Sequence, residues 1–533
     1  MELLKKNIHM DYRKCCTVTQ MTLEDDRNIP DKDPDVSQIL LNKGMIRTEE
    51  IKVTNDHVTL RGKMLFQVLY QADEWENRMC KVTGSIPFEE QVYLEGVSRE
   101  DTINARPVLE DLTVGMINSR KINVQAVVTW DVCVTKLTDL EVPVEISMEP
   151  AGVAAEYGNR KETDPPRIEC RKEDMKVTGI FISKNDIYRM KEEVELPSNM
   201  PNVEELIWEN IRPEGIVFKP MDEKIGVSGE LRIFLLYRGE NDEVPVRSYS
   251  VVLPFHGEVE CHGCESDMIP IITYETDIQN VEVRPDFDGE NRVFGVEVTM
   301  NLKIGMYHED TVSMVTDLYG INREIETRKQ DMILQTLQMQ NEGTYKVSGN
   351  LRINQPSAHI LQLLYSDVNA RITDSRLTEG GIEVDGVLDV CGVYVTGDDE
   401  MPYGRISGII PFRELIDAKN LESGTIYTLE CATDDASVGM VDSEEIDIRA
   451  QVRIKAVIYQ SSPVCVLQEI TVGPKDYRKL EKLPGMAVLL FEEGDSLWNI
   501  GKTFYQPVDR IRELNGIAQN REPEPGSRIV VVM

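Results

Sequence analysis

Four kinds of side-chain grouping in this chain could do chemistry, and each is tested by what that chemistry requires. Cys261-His262-Gly263-Cys264 has the spacing of one half of a zinc site. A structural zinc ion takes four ligands. This pair supplies two or three, and the sequence holds no second CxxC. The motif is therefore read as a loop following the strand that carries Pro254-Phe255. Gly501-Lys502-Thr503 imitates the end of a phosphate-binding loop, but Ser496 stands where that motif needs its first glycine. There are six histidines, none at ligand spacing from Cys or Asp. The 93 Asp and Glu residues are so abundant that any two could be paired on paper, so such pairing carries no weight. No G-x-S-x-G, H-E-x-x-H or calcium loop occurs. The residues point to a binding protein without catalytic residues, metal or cofactor.

One stretch is chemically distinctive in another way. Phe491-Glu492-Glu493-Gly494-Asp495-Ser496-Leu497-Trp498-Asn499-Ile500 reads as a strand ending and a helix beginning. Val488 to Phe491 form the strand. Asp495 or Ser496 caps the helix by accepting from its orphan N–H groups. Leu497, Ile500 and Phe504 share one face of it. Pro507 opens a second helix, with Val508, Ile511 and Leu514 at three-residue steps toward the core. Asn515-Gly516 ends it in the left-handed conformation those residues tolerate. Pro525-Gly526 then turns the chain into a last strand, Ile529 to Val532.

This strand–helix–helix–strand order resembles a LysM domain. The family's marks are a Gly-Asp-Ser-Leu-Trp start, a Leu-Asn-Gly after the second helix and a Pro-Gly before the last strand. Here they are Gly494 to Trp498, Leu514 to Gly516, and Pro525-Gly526. The resemblance implies a shallow groove between the two loops, usually for N-acetylglucosamine polymers. It assigns partner binding to Asp495, Ser496, Leu497, Trp498, Asn515 and Pro525.

Composition sets the frame for the rest. At 533 residues the chain exceeds a single core, since domains run to roughly 100–200 residues. A net charge of −35 repels phosphate backbones, which argues against nucleic acid, and argues against binding anionic membranes by charge. Such acidity serves plain solubility, and a basic protein partner is the sharper alternative. No apolar run approaches the ~20 residues that span a bilayer, and the N-terminus lacks the apolar core of a secretory signal. A cytoplasmic location is expected. The ten cysteines are irregularly spaced and are read as reduced thiols.

Self-comparison reveals three copies of one unit. Gly62 and Tyr70, Gly229 and Tyr237, and Gly386 and Tyr394 recur at one spacing. So do the triplets Ile86-Pro87-Phe88, Leu253-Pro254-Phe255 and Ile410-Pro411-Phe412. Upstream, Pro30 and Pro34 match Pro197 and Pro201, and the third copy keeps Pro356. Val36, Ile39, Leu40 and Val203, Leu206, Ile207 have helical spacing, predicting one or two turns in each. Downstream, Ile122 to Val134, Phe294 to Ile304 and Ile446 to Ile458 alternate apolar with mostly polar residues, the mark of strands wet on one face. The glycine marks a bulge or close backbone approach. Pro before Phe belongs at a strand start or an edge, and Tyr and Phe fill the core.

The expected fold is mostly β: three tandem antiparallel sandwich- or barrel-like repeats followed by a small βααβ module. Residues 1–150 form the first repeat with an N-terminal extension, 177–322 the second and 323–472 the third. Linkers lie at 151–176 and 473–485, and 486–533 is the LysM module. Three such units plus one LysM resemble the SPOCS-domain proteins of spore-forming bacteria. That resemblance implies an adaptor of endospore coat assembly in the mother-cell cytoplasm, recruited to the forespore surface. Its implied partner is the stage IV sporulation protein A ATPase of the coat basement layer, other coat proteins or self being further candidates. The alternative is a glycan-binding protein of the cell wall.

Overall fold

The computed structural model describes all residues except 73–77, 148–165, 241–243, 245, 354–358, 399, 420, 422, 423, 475–484, 520 and 533, and the side chains of 278–280. Pro356 and most of both expected linkers lie outside the described residues. Six strands make each unit. The first has β1 (Glu2–Asn28), β2 (Val36–Thr54), β3 (His57–Ala72), β4 (Met79–Tyr93), β5 (Thr102–Asn118) and β6 (Lys121–Ser147). The second has β7 (Ile168–Glu195), β8 (Val203–Met221), β9 (Lys224–Gly239), β10 (Arg247–Glu260), β11 (Ile269–Pro285) and β12 (Asn291–Gly320). The third has β13 (Glu324–Arg352), β14 (Gln362–Thr378), β15 (Gly381–Val395), β16 (Tyr403–Asp417), β17 (Thr425–Met440) and β18 (Glu445–Gly473). The C-terminal module is β19 (Met486–Leu490), α1 (Leu497–Phe504), α2 (Val508–Asn515) and β20 (Arg528–Val532).

In every unit the last strand pairs with both the first and the fifth, in the order β1-β6-β5, and the middle three form a second sheet, β2-β3-β4. The two sheets pack face to face as an open sandwich, with no barrel closure. The alternating runs on β6, β12 and β18 supply the buried side, from Ile122, Phe294 and Ile446 onward. The residues read as an N-terminal extension are β1 itself, paired with β6 along its whole length. The expected first linker ends early, because the chain is already in β7 from Ile168.

Two expectations are corrected. The segments with helical spacing are the starts of β2 and β8. Register shifts at Val36/Gln38 and Ile39/Leu41, and at Val203/Glu205 and Leu206/Trp208, insert an extra residue twice in a few positions. Each bulge moves the inward face on by one residue, so a strand acquires three-residue steps. Second, Cys16 and Cys133 sit directly opposite on β1 and β6, with Cα atoms 4.1 Å apart, and form a disulfide. The other eight cysteines are free thiols.

The repeated glycine and phenylalanine are one cross-strand pair. Gly62 faces Phe88, Gly229 faces Phe255 and Gly386 faces Phe412. In each pair the ring lies over the glycine, and an added Cβ would meet ring carbon at 2.8, 2.8 and 2.3 Å. The partner prolines stand on β4, β10 and β16, edge strands where no N–H is missed. Tyr70 and Tyr237 donate their hydroxyls to the Pro34 and Pro201 carbonyls at 3.2 and 3.4 Å. Arg120 holds the Pro30 and Asp33 carbonyls, and Arg292 those of Pro197 and Met200. The upstream prolines of the first two units therefore belong to the lids of their sandwiches.

The three units meet around an approximate threefold axis. At the offsets set by the repeated glycines, Leu41, Trp208 and Tyr365 are equivalent, as are Leu69, Leu236 and Val393. All six lie in one buried cluster shared by the three units. A polar layer accompanies it, in which Lys43, Asn210 and Asp367 are equivalent. Lys43 Nζ donates to Asn210 Oδ1 at 2.7 Å, and Arg212 reaches Asp367 and Asn369 at 3.2 and 2.8 Å. Beyond the sandwiches, β1/β6, β7/β12 and β13/β18 continue as three ribbons that pack on each other through Ile8, Val142, Val177, Met314 and Leu334. Thr178 Oγ accepts from the Leu337 N–H at 2.8 Å, and Gln335 exchanges two bonds with the Arg13 backbone. The ribbons form a stalk.

Replacing Gly62 with Ala should destabilise the first sandwich by about 1–3 kcal/mol, the cost of overpacking a filled site. The Cβ would sit 2.1 Å from the Arg47 carbonyl oxygen, so backbone must shift. Urea unfolding should move to lower midpoint. Gly115→Ala, where a Cβ meets nothing within 4 Å, should leave it unchanged.

Candidate functional site

The motifs that suggested chemistry have structural roles. Cys261 and Cys264 close a turn, with Cys264 N–H on the Cys261 carbonyl at 3.0 Å. Glu223 clamps that turn through its N–H and carbonyl, each at 2.9 Å. In the first unit Asp56 clamps Leu94 and Val97 in the same way. The two thiols thus occupy apolar core positions, and both are fully buried. Burial and the adjacent Cys264 push the Cys261 thiol up to about 11, so it stays protonated at neutral pH. Gly501-Lys502-Thr503 lies within α1, where a helix leaves no phosphate cradle. Among the described residues no group of three or more His, Cys, Asp or Glu could hold a metal ion.

The C-terminal module is built around Phe491, Leu497, Ile500, Phe504, Ile511, Ile529 and Val531. Ser496 is the cap: its Oγ accepts from the Asn499 N–H at 3.1 Å. Asp495 instead accepts from the Glu492 N–H at 2.8 Å and remains exposed. Gly516 ends α2 at φ 65°, in the left-handed region. Leu514, expected in the core, is 48% exposed. Steps of three residues lag the helical turn by about 60° each, so two steps after Val508 carry that side chain off the buried stripe.

The six residues assigned to partner binding separate into three places. Asp495, Ser496 and Pro525 line the mouth between the two loops, with Asp495 and Pro525 exposed. Leu497 has its side chain in the core, while its N–H is held by Glu522 Oε2 at 3.0 Å. Asn515 spans to β20, donating to the Ile511 and Val530 carbonyls at 2.8 Å and accepting from the Val530 N–H at 2.7 Å. Trp498 points away from the mouth, onto the stalk.

That last contact was invisible in the local sequence. Trp498 Nε1 donates to Asp317 Oδ2 at 2.8 Å, and Lys502 Nζ reaches both oxygens of Asp317 at 3.0 and 3.1 Å. Tyr319 meets the indole edge to face, with centroids 4.9 Å apart, and donates to the Gln506 carbonyl at 2.8 Å. Tyr505 donates to Glu324. Gly501 lets the surfaces close, since a Cβ there would lie 2.5 Å from the Tyr319 hydroxyl. Asp317 and Tyr319 end β12 and Glu324 begins β13, so the module seats on the tip of the stalk. Burial opposes the charge on Asp317, but the bonds from Trp498 and Lys502 and the charges of Lys502 and Lys329 outweigh it. Its carboxyl is held below the ordinary range.

Two further features escaped sequence reasoning. Arg512 staples the second loop, donating to the carbonyls of Ala518, Gln519 and Arg521 and to Glu522. An arginine in the last turn before Asn-Gly was the available signal. On β19, Met486, Val488 and Leu490 are all exposed on one face, and register places Val532 and Val530 beside Met486 and Val488. The module thus carries an acid-lined mouth, with Glu492, Glu493, Asp495, Glu522 and Glu524 exposed, and a separate apolar sheet face.

Comparison with known proteins is consistent with this division. The family described as SipL, SPOCS domain matches residues 35–117, 202–286 and 359–441. The family described as LysM domain matches 492–532. No curated protein and no solved structure matches the chain. The chain therefore carries three SPOCS domains and a C-terminal LysM domain.

Asp317→Ala should free the module from the stalk, because hydrogen bonds to a charged partner contribute about 1.5–3 kcal/mol each. Hydrogen exchange on α1 and on 316–320 should speed up at least tenfold, with the sandwiches unaffected. A carboxylate with a depressed pKa lends its stability above its unfolded value of about 3.9 and loses it as pH falls through the docked value. Docking should hence be flat from pH 8 to 5 and fail on strong acidification.

Proposed function

We propose that this chain, three SipL SPOCS domains followed by a LysM domain, is an adaptor of endospore coat assembly. The domains themselves are non-catalytic binding modules associated with sporulation. On our reading the protein stays in the mother-cell cytoplasm and is recruited to the forespore surface. There its LysM domain docks on the coat basement-layer ATPase, stage IV sporulation protein A.

The observation that carries this reading is the surface chemistry of the LysM domain. A neutral sugar polymer is recognised by stacking faces and hydrogen-bond partners. Here the mouth is lined by carboxylates, and the module's indole is engaged by Asp317 and Tyr319. The exposed strip of Met486, Val488 and Leu490 is the kind of contiguous apolar face that marks protein contacts. Both features favour a protein partner with basic and apolar groups.

Glycan binding at the cell wall is the second reading, favoured by the LysM match itself and by the open positions of Asp495, Ser496 and Pro525. The two readings part cleanly in one experiment. Purified chain should capture the ATPase, and Val488→Asp with Leu490→Asp should weaken capture at least tenfold. In sporulating cells, removing 486–533 should abolish recruitment to the forespore. Saturable micromolar binding of N-acetylglucosamine oligomers, with no capture of the ATPase, would establish the wall reading instead.

A further inference from the structure

The long strands give the molecule two ends. β12 runs unbroken from Asn291 to Gly320, and Asp317 near its end meets Trp498 of the LysM domain. At 3.3 Å per residue its contour is roughly 100 Å. The hairpin preceding β12 is therefore at the pole opposite the LysM domain. The equivalent hairpins, β5 to β6 and β17 to β18, lie at the same pole, because all three units meet with equivalent residues in contact.

Each of these three hairpins exposes large apolar side chains at its tip. The first carries Met116 and Ile117, both 50% exposed. The second carries Phe287, fully in solvent at 104%, and the third Val441 at 55%. Scattered exposed apolar residues are ordinary. Recurrence at the tip of the same hairpin in all three units is not: Ile117 and Val441 are equivalent in register, and the longer second tip puts Phe287 at its apex.

The tips are held in defined shape. Asp286 Oδ1 accepts from the N–H groups of Asp288 and Glu290, each at 2.9 Å. Asp442 Oδ1 accepts from Glu444 and Glu445 at 2.7 and 2.9 Å. The Asn118 side chain accepts from the Arg120 N–H at 2.9 Å. Rigid apolar tips lose little side-chain and loop freedom on binding.

We infer that the pole opposite the LysM domain is a second, three-pronged docking surface for a basic protein. The charge around the second and third prongs selects that occupant. Asp286, Asp288 and Glu290 flank Phe287, and Asp442, Glu444 and Glu445 follow Val441. Such carboxylates repel anionic lipid headgroups, and a chain of net charge −35 repels its own copy. They pair with lysine and arginine rimming apolar sockets on a partner. Three weak prongs on one body reinforce each other, since engaging the first raises the effective concentration of the others. The inference is independent of what the LysM domain binds.

The test places a photo-crosslinking phenylalanine analogue at position 287 of the full chain in sporulating cells. The linked species is identified, and if a protein it is purified and titrated against full-length chain. We expect a protein whose linked segment is rich in Lys and Arg. Its affinity should fall at least tenfold in the variant Ile117→Ser, Phe287→Ser, Val441→Ser, and should fall with rising salt. The same variant should capture the LysM partner as the parent does. Crosslinks only to lipid, only to a second copy of this chain, or to nothing would overturn the proposal. So would a linked protein whose affinity ignores the substitutions. The exposed sites leave the core untouched, and an unchanged urea midpoint of the variant checks that its fold is intact.

Discussion

Everything in this molecule depends on how a three-stranded sheet finds cover for both its faces. The sheet β2-β3-β4 buries one face against β1-β6-β5, inside its own unit. Its other face would stand in water with Leu40, Leu41 and Leu69 exposed. The same problem recurs in each copy, and one solution serves all three: the leftover faces pack on each other. A shared core of this kind needs three partners. Two units would leave one side of Trp208 and Tyr365 wet. The repeat number is thus set by burial, and the units are parts of one body.

The axis is not built from identical residues. Lys43, Asn210 and Asp367 occupy equivalent positions with different charges. Burial lowers the Lys43 amine pKa, opposed by the charges of Asp367 and Glu209. A buried amine tolerated on those terms needs a carbonyl or carboxylate oxygen beside it, and a second lysine in the neighbouring unit would be repelled. Lower down, the equivalent set Asp11, Thr178 and Gln335 bonds in the same unequal manner, with Tyr307 donating to Asp11 at 3.2 Å. Such layers discriminate between correct and incorrect neighbours. They favour closure within one chain over assembly of like units from several chains.

Much of the body was legible from the sequence because its signals are periodic. The alternation in β6, β12 and β18 survives because those strands pair on both edges and keep one face dry. The Gly and Pro-Phe signature was legible because a ring lying over a glycine constrains two residue types at once. Legibility failed where the period was broken or the partner was remote. Bulges gave β2 and β8 the spacing of a helix turn. Cys16 and Cys133 are opposite only once β1 and β6 are in register. In the LysM domain the cap, the turns and the core were readable, being local. The bond from Trp498 to Asp317 was not, since it links segments that the sequence sets far apart.

That bond decides how the LysM domain is presented. A LysM domain on a free tether would present its mouth in every direction. Here α1 is flat against the stalk through Trp498, Gly501, Lys502 and Tyr505, so the mouth and the apolar sheet face are left outward on a fixed axis. A side chain that often serves recognition instead anchors the module to its own scaffold. Orientation has a thermodynamic consequence, because a partner that meets a prealigned surface does not have to immobilise it. Continuous strands also fix the separation between the LysM domain and the opposite pole. Stiffness along β12 does for this protein what a linker of fixed length would do for a chain of separate domains.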